Sequence, residues 1–166
     1  MMRNLRYASL NVNGLREDGK LQRILHYLRD HRIDVAALQD VRYDPLLHSH
    51  WQATTGFRSY WEKRVAIIIL NHQVQVDEIE SPSDSIISAT LTHGSMCLRF
   101  TSIYAPAVPD ERRAFFRDLS LSFPPHPPLL SRATSTLTLA APSTGLIRDE
   151  AAQTGTISPK TYPASE

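Results

Sequence analysis

Two asparagines stand one residue apart in the segment SLNVNGLRE, residues 9–17, and their side chains could do chemistry. The amides of Asn11 and Asn13 both donate and accept hydrogen bonds, so they could orient a phosphate, a water molecule or the water shell of a metal. Asparagine is a poor strand former, and the Asn-Gly dipeptide that Asn13 forms with Gly14 is common in turns. Taken alone, the pair is explained better by a turn than by a binding site.

A second polar pair, Gln39-Asp40, follows an apolar run at residues 33–38. A carboxylate at the carboxyl end of a strand is a good ligand for Mg²⁺, which is bound by one or two carboxylates with water and phosphate. A lone aspartate is more often a turn or helix-cap residue, but the asparagine pair at the end of a neighbouring predicted strand raises the metal-ligand interpretation of Asp40 to about equal weight. Tyr104 could donate its hydroxyl group to a phosphate oxygen, but a packed aromatic residue before a proline turn is the simpler explanation.

The basic residues alternate with acids along the chain, which favours solvated helix faces. Arg16 is the exception because it lies close to the asparagine pair, and we expect it to contact phosphate. His48 and His50 are two residues apart in a segment that is predicted to be loop or short helix. This spacing is weak evidence for a metal site, and solvated surface histidines are the simpler interpretation.

The composition limits the class of protein. With 166 residues the chain is long enough for one domain with a sizeable core, and its net charge of +1 predicts no partner by itself. The single cysteine, Cys97, excludes an internal disulfide framework and favours a reducing compartment. No apolar run is long enough to cross a membrane, and the N-terminus has no apolar signal core. We therefore expect an intracellular protein, nuclear or cytoplasmic, that is neither secreted nor inserted in a membrane.

The pattern of apolar residues predicts the elements that position these side chains. A strand at residues 5–11, an amphipathic helix that Asp18 could cap, and a buried strand at residues 33–38 form a strand–helix–strand unit. Its strands could be parallel, and open sheets of this kind bind ligands at the carboxyl ends of their strands. Further strands are predicted at residues 65–70, 73–79, 86–91 and 96–104, and a second helix begins at Asp110. The strand at 73–79 could pair with the strand before it, and the last two strands form a hairpin.

The character of the sequence changes at the proline-rich segment of residues 124–128. Beyond Leu130 half of the residues are Ser, Thr or Ala, and no periodic apolar face is sustained. This composition predicts a folded part at residues 3–130 and a largely disordered tail at residues 131–166.

The order of the motifs resembles the endonuclease/exonuclease/phosphatase superfamily. The segments that carry the resemblance are SLNVNGLRE, IDVAALQD, RVAIIIL and LRFTSIYAPAVPDERRAFFRDL, within residues 4–123. The sequence is most similar to the endonuclease domain of non-LTR (LINE-type) retrotransposons, and apurinic/apyrimidinic endonucleases are similar but more distant. The resemblance implies an α/β fold, here a partial and truncated four-layer α/β sandwich with two sheets and helices outside.

The resemblance also implies a function, the Mg²⁺-dependent cleavage of phosphodiesters in DNA. It implies that Asn11 and Tyr104 are catalytic residues that contact the phosphate, and that Asp40 and Asn13 hold the metal. Arg16 joins them as the expected phosphate contact. Mg²⁺ would neutralise charge on the scissile phosphate, and a general base must still activate water.

Two motifs of the superfamily do not occur in the chain. Gly-Asp-Xaa-Asn, which follows the Phe-Phe helix and acts on the nucleophilic water, is absent, and so is Ser-Asp-His with its catalytic histidine. Asp40 also replaces the usual glutamate, Arg64 a common glycine, and Ala107 the usual asparagine. We therefore expect a retrotransposon-derived domain that is inactive as this chain. The alternative is a non-catalytic remnant that binds nucleic acid or phosphate.

Overall fold

Two four-stranded β-sheets and three α-helices make up the part of the chain that the computed structural model describes, residues 5–17, 19–122 and 134–141. The strands are β1 Tyr7–Asn11, β2 Val35–Gln39, β3 Arg58–Trp61, β4 Val65–Ile69, β5 Gln75–Ser83, β6 Ile86–His93, β7 Met96–Tyr104 and β8 Thr134–Ala141. The helices are α1 Lys20–Asp30, α2 His48–Thr55, which follows a 3₁₀ turn at Pro45–Leu47, and α3 Pro109–Ser122. No helix among these residues is long and apolar enough to cross a bilayer.

The first sheet has the strand order β1-β2-β4-β3. β1 and β2 are parallel, with Asn11 opposite Gln39, and α1 connects them, which confirms the predicted strand–helix–strand unit. β4 runs antiparallel to β2, with Val65 opposite Gln39. The carboxyl ends of β1 and β2 and the start of β4 therefore meet at one edge of this sheet.

The two central strands of the first sheet, β2 and β4, are buried on both faces. Val35 and Ala37 of β2 pack with Phe100 of the second sheet. On the opposite face, Leu38 packs with Leu25 of α1 in a separate apolar cluster. Both strands read as continuous apolar runs because neither has a face toward water.

The second sheet has the order β5-β6-β7-β8. The predicted hairpin is confirmed, since β6 and β7 pair antiparallel with Ile86 opposite Ile103. The predicted pairing of residues 73–79 with residues 65–70 is wrong, because β5 pairs with β6. Both edges of β4 are already occupied, one by β2 and the other by the short strand β3, which the sequence analysis missed.

One strand lies inside the segment that was predicted to be disordered. β8 runs parallel to β7, with Thr138 opposite Thr101, after the crossover through α3. Disorder is therefore the wrong prediction for these eight residues. Thr and Leu alternate at residues 136–139, and β-branched threonine favours a strand, a pattern that the overall composition concealed. The rest of residues 131–166 lies outside the described residues, and the domain boundary near residue 130 stays a prediction.

A buried glutamine joins the two sheets. The side-chain amide of Gln39 is fully buried and donates from Nε2 to Ser9 Oγ at 3.1 Å and to Ser102 Oγ at 3.4 Å. Ser102 in turn donates to the carbonyl of Leu38 at 3.3 Å. Gln39 precedes Asp40, and Ser102 lies on the same face of β7 as Tyr104, so this link sets the relative position of two predicted site residues.

Replacing Gln39 with leucine should cost about 1–3 kcal/mol of unfolding free energy, because buried hydroxyl groups lose their amide partner. Urea unfolding checks this. The combined variant Gln39→Leu with Ser102→Ala should recover part of the loss, since it removes an orphaned hydroxyl group as well. Equal stability of Gln39→Leu and the wild type would show that the link carries no energy.

Tyr7 should make stability fall at high pH. It stacks on Phe100 with ring centroids 5.6 Å apart, and burial, helped by the charge of Asp34, raises the pKa of Tyr7 from 10.0 to about 12. Above pH 10 the unfolded chain loses this proton while the folded chain keeps it, so stability is lost as the pH rises from 10 to about 12. Tyr7→Phe should flatten this loss in urea unfolding, and Tyr27→Phe, at an exposed position, should leave it unchanged. The same pH slope in Tyr7→Phe and the wild type would contradict the assignment.

Candidate functional site

The segments that follow β1 and β2 stay hydrogen-bonded beyond the ends of the strands. The amide of Gly14 donates to the carbonyl of Asp40 at 2.6 Å, and the amide of Leu15 donates to the carbonyl of Val41 at 3.2 Å. The amide of Val41 donates in turn to the carbonyl of Arg64, just before β4, at 3.1 Å. Three chain segments are thus fixed at one edge of the first sheet.

Several residues at this edge have left-handed backbone conformations. The φ angles are 47° for Asn13, 80° for Gly14, 52° for Asp40 and 52° for Arg42. A non-glycine residue in this region costs about 1 kcal/mol, and such strain is concentrated at functional sites and clamps. The surrounding hydrogen bonds hold these conformations in place.

The two asparagines form a turn and also contact the cluster. Asn11 Oδ1 accepts the backbone N–H of Asn13 at 3.1 Å, which closes a turn over residues 11–13, and the chain continues through the left-handed Asn-Gly dipeptide of residues 13–14. The exposed side chain of Asn13 accepts a hydrogen bond from Arg42 Nη2 at 2.7 Å. Lys20 Nζ lies 3.5 Å from the carbonyl oxygen of Asn13. The turn interpretation and the polar-cluster interpretation therefore both hold.

The carboxylate of Asp40 is the buried centre of the cluster, with a side-chain exposure of 8%. Arg42 donates from Nε to Oδ1 at 3.3 Å and from Nη2 to Oδ2 at 3.1 Å, so one guanidinium group spans both oxygens. Arg64 Nη1 lies 3.5 Å from Oδ1. The guanidinium-bearing side chains are more open, at 53% for Arg42 and 43% for Arg64. One carboxylate therefore lies beneath two half-exposed cations.

Tyr104 reaches the cluster through Arg64. The guanidinium carbon of Arg64 lies 5.1 Å from the centre of the Tyr104 ring, a cation–π distance. Hydrogen bonds and the charge of Asp40 raise the pKa of the Arg42 guanidinium above its ordinary value, and Tyr104 adds to this effect. Arg112, assigned to a solvated helix face from sequence, instead donates from Nε to the carbonyl of Pro106 at 2.9 Å and fixes the turn after Tyr104.

The structure brings together four of the five predicted site residues. Asn11, Asn13 and Asp40 lie at one edge of the first sheet, and Tyr104, at the end of β7 in the second sheet, joins them through Arg64, while their catalytic and ligand roles stay predictions. Arg16 is exposed and makes no hydrogen bond or ion pair with another described residue.

Two secondary predictions meet the structure in different ways. Asp18, the predicted helix cap, lies outside the described residues. The N-cap position of α1 is Gly19, with φ 74°. The exposed His50 belongs to no group of three or more His, Cys, Asp or Glu within the described ranges that could hold a metal ion.

Two arginines that no sequence motif indicated, Arg42 and Arg64, dominate the cluster. Arg42 was not singled out, and Arg64 was noted only as a replacement for glycine. The available signal was position, because Arg42 follows Asp40 by two residues and Arg64 immediately precedes β4. Nothing in the linear sequence shows that both guanidinium groups turn onto one carboxylate.

The donor set does not fit a resident Mg²⁺ in this arrangement. Among the described residues the cluster offers one carboxylate, and both of its oxygens are already paired with arginine. The side-chain oxygen of Asn13 accepts a hydrogen bond from Arg42. A divalent cation would have to displace these donors and remain beside two positive charges, which Coulomb repulsion opposes.

The chain shares its architecture with solved nuclease structures. It is similar to D. rerio TDP2 humanized by 14 mutations, with 17% identity over 73% of this chain and 57% of that chain and a TM-score of 0.58. It is similar to the endonuclease domain of TRAS1, a telomere-specific non-LTR retrotransposon, with 12% identity over 72% of this chain and 54% of that chain and a TM-score of 0.53. It is also similar to an AP endonuclease from Archaeoglobus fulgidus, with 17% identity over 72% of this chain and 49% of that chain and a TM-score of 0.51. The chain spans about half the length of these proteins. No protein-family model and no curated protein matches it.

These neighbours all have the endonuclease/exonuclease/phosphatase fold, which confirms the fold predicted from the order of the motifs. At identities of 12–17% the likeness establishes the fold alone. The identity with the retrotransposon domain is no higher than with the other two structures, so the retrotransposon origin stays a prediction.

Gly14 should be required at its position because Arg42 passes over it. A Cβ at Gly14 would lie 3.2 Å from Arg42 Cδ, at a φ of 80°. Gly14→Ala should therefore lower the free energy of unfolding by more than the ~1 kcal/mol that backbone strain alone costs. Gly56→Ala is the matched control, since φ is 58° there and no atom lies within 4 Å of the added Cβ.

Urea unfolding of both glycine variants, with and without Arg42→Ala, isolates the contact. The excess loss in Gly14→Ala over Gly56→Ala should disappear when Arg42 is removed. An excess that persists in the Arg42→Ala background would show that Arg42 does not pack on Gly14.

Proposed function

We propose that this chain is an endonuclease-like domain that binds DNA at the Asp40 cluster and does not cleave it. Its descent is from Mg²⁺-dependent, phosphodiester-cleaving endonucleases of retrotransposon type, and its setting is inside the cell. The observation that carries the proposal is the pairing of Asp40 with Arg42 and Arg64, at 3.1 Å and 3.5 Å. This pairing leaves a site rich in hydrogen-bond donors and poor in free metal ligands.

Charge and donor chemistry support DNA binding. Two cations, Arg42 and Arg64, pair with the single carboxylate of Asp40, and a third, Lys20, lies 3.5 Å from the carbonyl oxygen of Asn13. Arginine, lysine, asparagine and tyrosine are the groups that usually contact phosphate oxygens in protein–DNA interfaces. One D. rerio TDP2 structure of the same fold is complexed with a single-strand DNA product. A phosphate backbone is therefore the ligand that best matches the cluster.

The missing groups support the absence of cleavage. The 166 residues contain neither Gly-Asp-Xaa-Asn nor Ser-Asp-His, so the aspartate and histidine that the superfamily resemblance assigns to these motifs have no counterpart here. β8 is the strand that follows the Phe-Phe helix, and Pro-Ser-Thr-Gly, not Gly-Asp, comes after it. A positioned general acid or base contributes about 10²–10⁴ in rate, and this chain would lack that contribution.

The second candidate is an active Mg²⁺-dependent nuclease. The observation that favours it is the meeting of Asn11, Asn13 and Asp40 at one edge of the first sheet with Tyr104 of the second sheet, which joins them through Arg64. Under this candidate Asp40 and Asn13 would hold the metal and Asn11 and Tyr104 would orient the phosphate. Arg16 would add a phosphate contact from the exposed loop after β1.

Nicking of supercoiled plasmid with Mg²⁺ separates the two candidates. We compare the wild type, Asp40→Ala and Asp30→Ala, a control at the far end of α1 whose side chain is 58% exposed. The proposal predicts the same background of nicked plasmid in all three and DNA binding that weakens steeply with salt. Nicking by the wild type and by Asp30→Ala that is lost in Asp40→Ala would establish the nuclease and overturn the proposal.

A further inference from the structure

The geometry of Asp40 assigns it a role other than metal binding. We propose that Arg42 and Arg64 form a phosphate-binding site that needs no divalent cation, and that Asp40 is the internal counter-ion that holds the two guanidinium groups. The inference deepens the proposed function, because it rests on a nucleic-acid phosphate as the ligand. Under this proposal Asp40 is a structural anion and not the metal ligand that the superfamily resemblance implies.

The first support is the unused hydrogen-bonding capacity of the arginines. Each guanidinium group has five N–H donors in a planar fork that matches phosphate oxygens. Arg42 spends Nε and Nη2 on Asp40 and Asn13, and its Nη1 makes no hydrogen bond within the described residues. Of the Arg64 nitrogens, only Nη1 makes an ion pair with Asp40. The remaining donors belong to side chains that are about half exposed.

The second support is the way in which the arginines are held in place. The guanidinium group of Arg42 spans both oxygens of Asp40. Its side chain passes so close to Gly14 that a Cβ there would lie 3.2 Å from Arg42 Cδ. The guanidinium carbon of Arg64 lies 5.1 Å from the centre of the Tyr104 ring. A long side chain normally loses rotamer entropy when it binds a ligand, and groups that are already fixed lose less. The buried carboxylate thus prepares two cations for an anion that arrives from solvent.

The third support is the sign of the local charge. The negative charge of Asp40 offsets the positive charge of one of the two arginines. Lys20 adds a third cation, with its Nζ 3.5 Å from the carbonyl oxygen of Asn13. A phosphate fits this surplus of positive charge, while Mg²⁺ would add to it. Metal-mediated binding and arginine-mediated binding therefore predict opposite effects for the loss of the Asp40 charge.

Binding of a fluorescein-labelled single-stranded DNA oligonucleotide, measured by anisotropy, tests the inference. The Kd should be the same in EDTA and in Mg²⁺. Asp40→Asn should bind as tightly as the wild type or more tightly, because it removes a negative charge and keeps an oxygen acceptor. Loss of affinity in EDTA together with loss of affinity in Asp40→Asn would identify a metal site and overturn the inference.

The arginine variants test the site directly. Arg42→Met and Arg64→Met should each weaken binding by about tenfold and lower the salt slope by about 0.7. Arg29→Met is the matched control, since Arg29 lies nine residues along α1 from Lys20, about 13 Å away, and contacts Phe57 instead. A cooperative thermal transition confirms that each variant is folded, even where loss of a partner of Asp40 lowers its Tm. Equal affinity of Arg42→Met, Arg64→Met and Arg29→Met would overturn the inference.

Two further arms separate this inference from the proposed function and identify the phosphate. If pyrophosphate binds and Arg42→Met abolishes that binding while the oligonucleotide fails to bind, the site stands and the DNA function fails. If the oligonucleotide binds and both arginine variants bind it equally well, the DNA function stands and the site fails. A preference for the 5′-phosphorylated oligonucleotide over the 5′-hydroxyl form would assign the site to a terminal phosphate, and equal affinity would assign it to the backbone.

Discussion

Burial of both faces of β2 and β4 is the constraint from which the rest of the structure follows. One face of these strands packs on the second sheet and the other on α1 and α2, so each apolar side chain has a fixed side. A shift of one residue in the pairing of these strands would turn every side chain to the opposite face of the sheet. The register is therefore strongly determined. That register sets Gln39 between Asn11 and Val65, and therefore sets which loops meet at the edge.

The buried strands fix the position of the candidate site, and the loops that follow them supply its polar side chains. Asp40 follows directly on a fully buried strand, which explains why a charged side chain can lie at 8% exposure. A buried charge of this kind requires a partner, and here two arginines meet the requirement. The same pairing that stabilises the carboxylate also determines that the open surface of the cluster is positive. The structure of the cluster and the ligand preference that we propose for it thus have one electrostatic cause.

Much of the fold could be predicted from the sequence because its signals are local. The apolar face of α1, the continuous runs of β2 and β4 and the hairpin of β6 and β7 follow from periodicity within single elements. The partner of β5 could not be predicted in this way, since it depends on β3, a four-residue strand, occupying the free edge of β4. β8 was concealed by a composition typical of disorder, although its alternating pattern fits a strand.

The site was predictable as a set of positions but not as a set of contacts. The strand ends indicated Asn11 and Asp40, because the parallel strands β1 and β2 present their carboxyl ends at one edge, and the end of another strand indicated Tyr104. The ion pairs of Asp40 depend on side chains from two other loops, and their direction is a property of the folded chain. The superfamily resemblance supplied a metal role for Asp40, and the neighbouring charges change that expectation.

The most direct test of the central claim is the response of the folded chain to Mn²⁺, a paramagnetic ion that suits the same oxygen ligands as Mg²⁺. Backbone amide NMR signals of Asn13, Gly14 and Asp40 report on the cluster, because a bound paramagnetic ion broadens nearby resonances. Our account predicts no selective broadening of these signals, since both oxygens of Asp40 are held by arginine. Selective broadening at these residues on titration with Mn²⁺ would show that the cluster binds a divalent cation and would contradict the account.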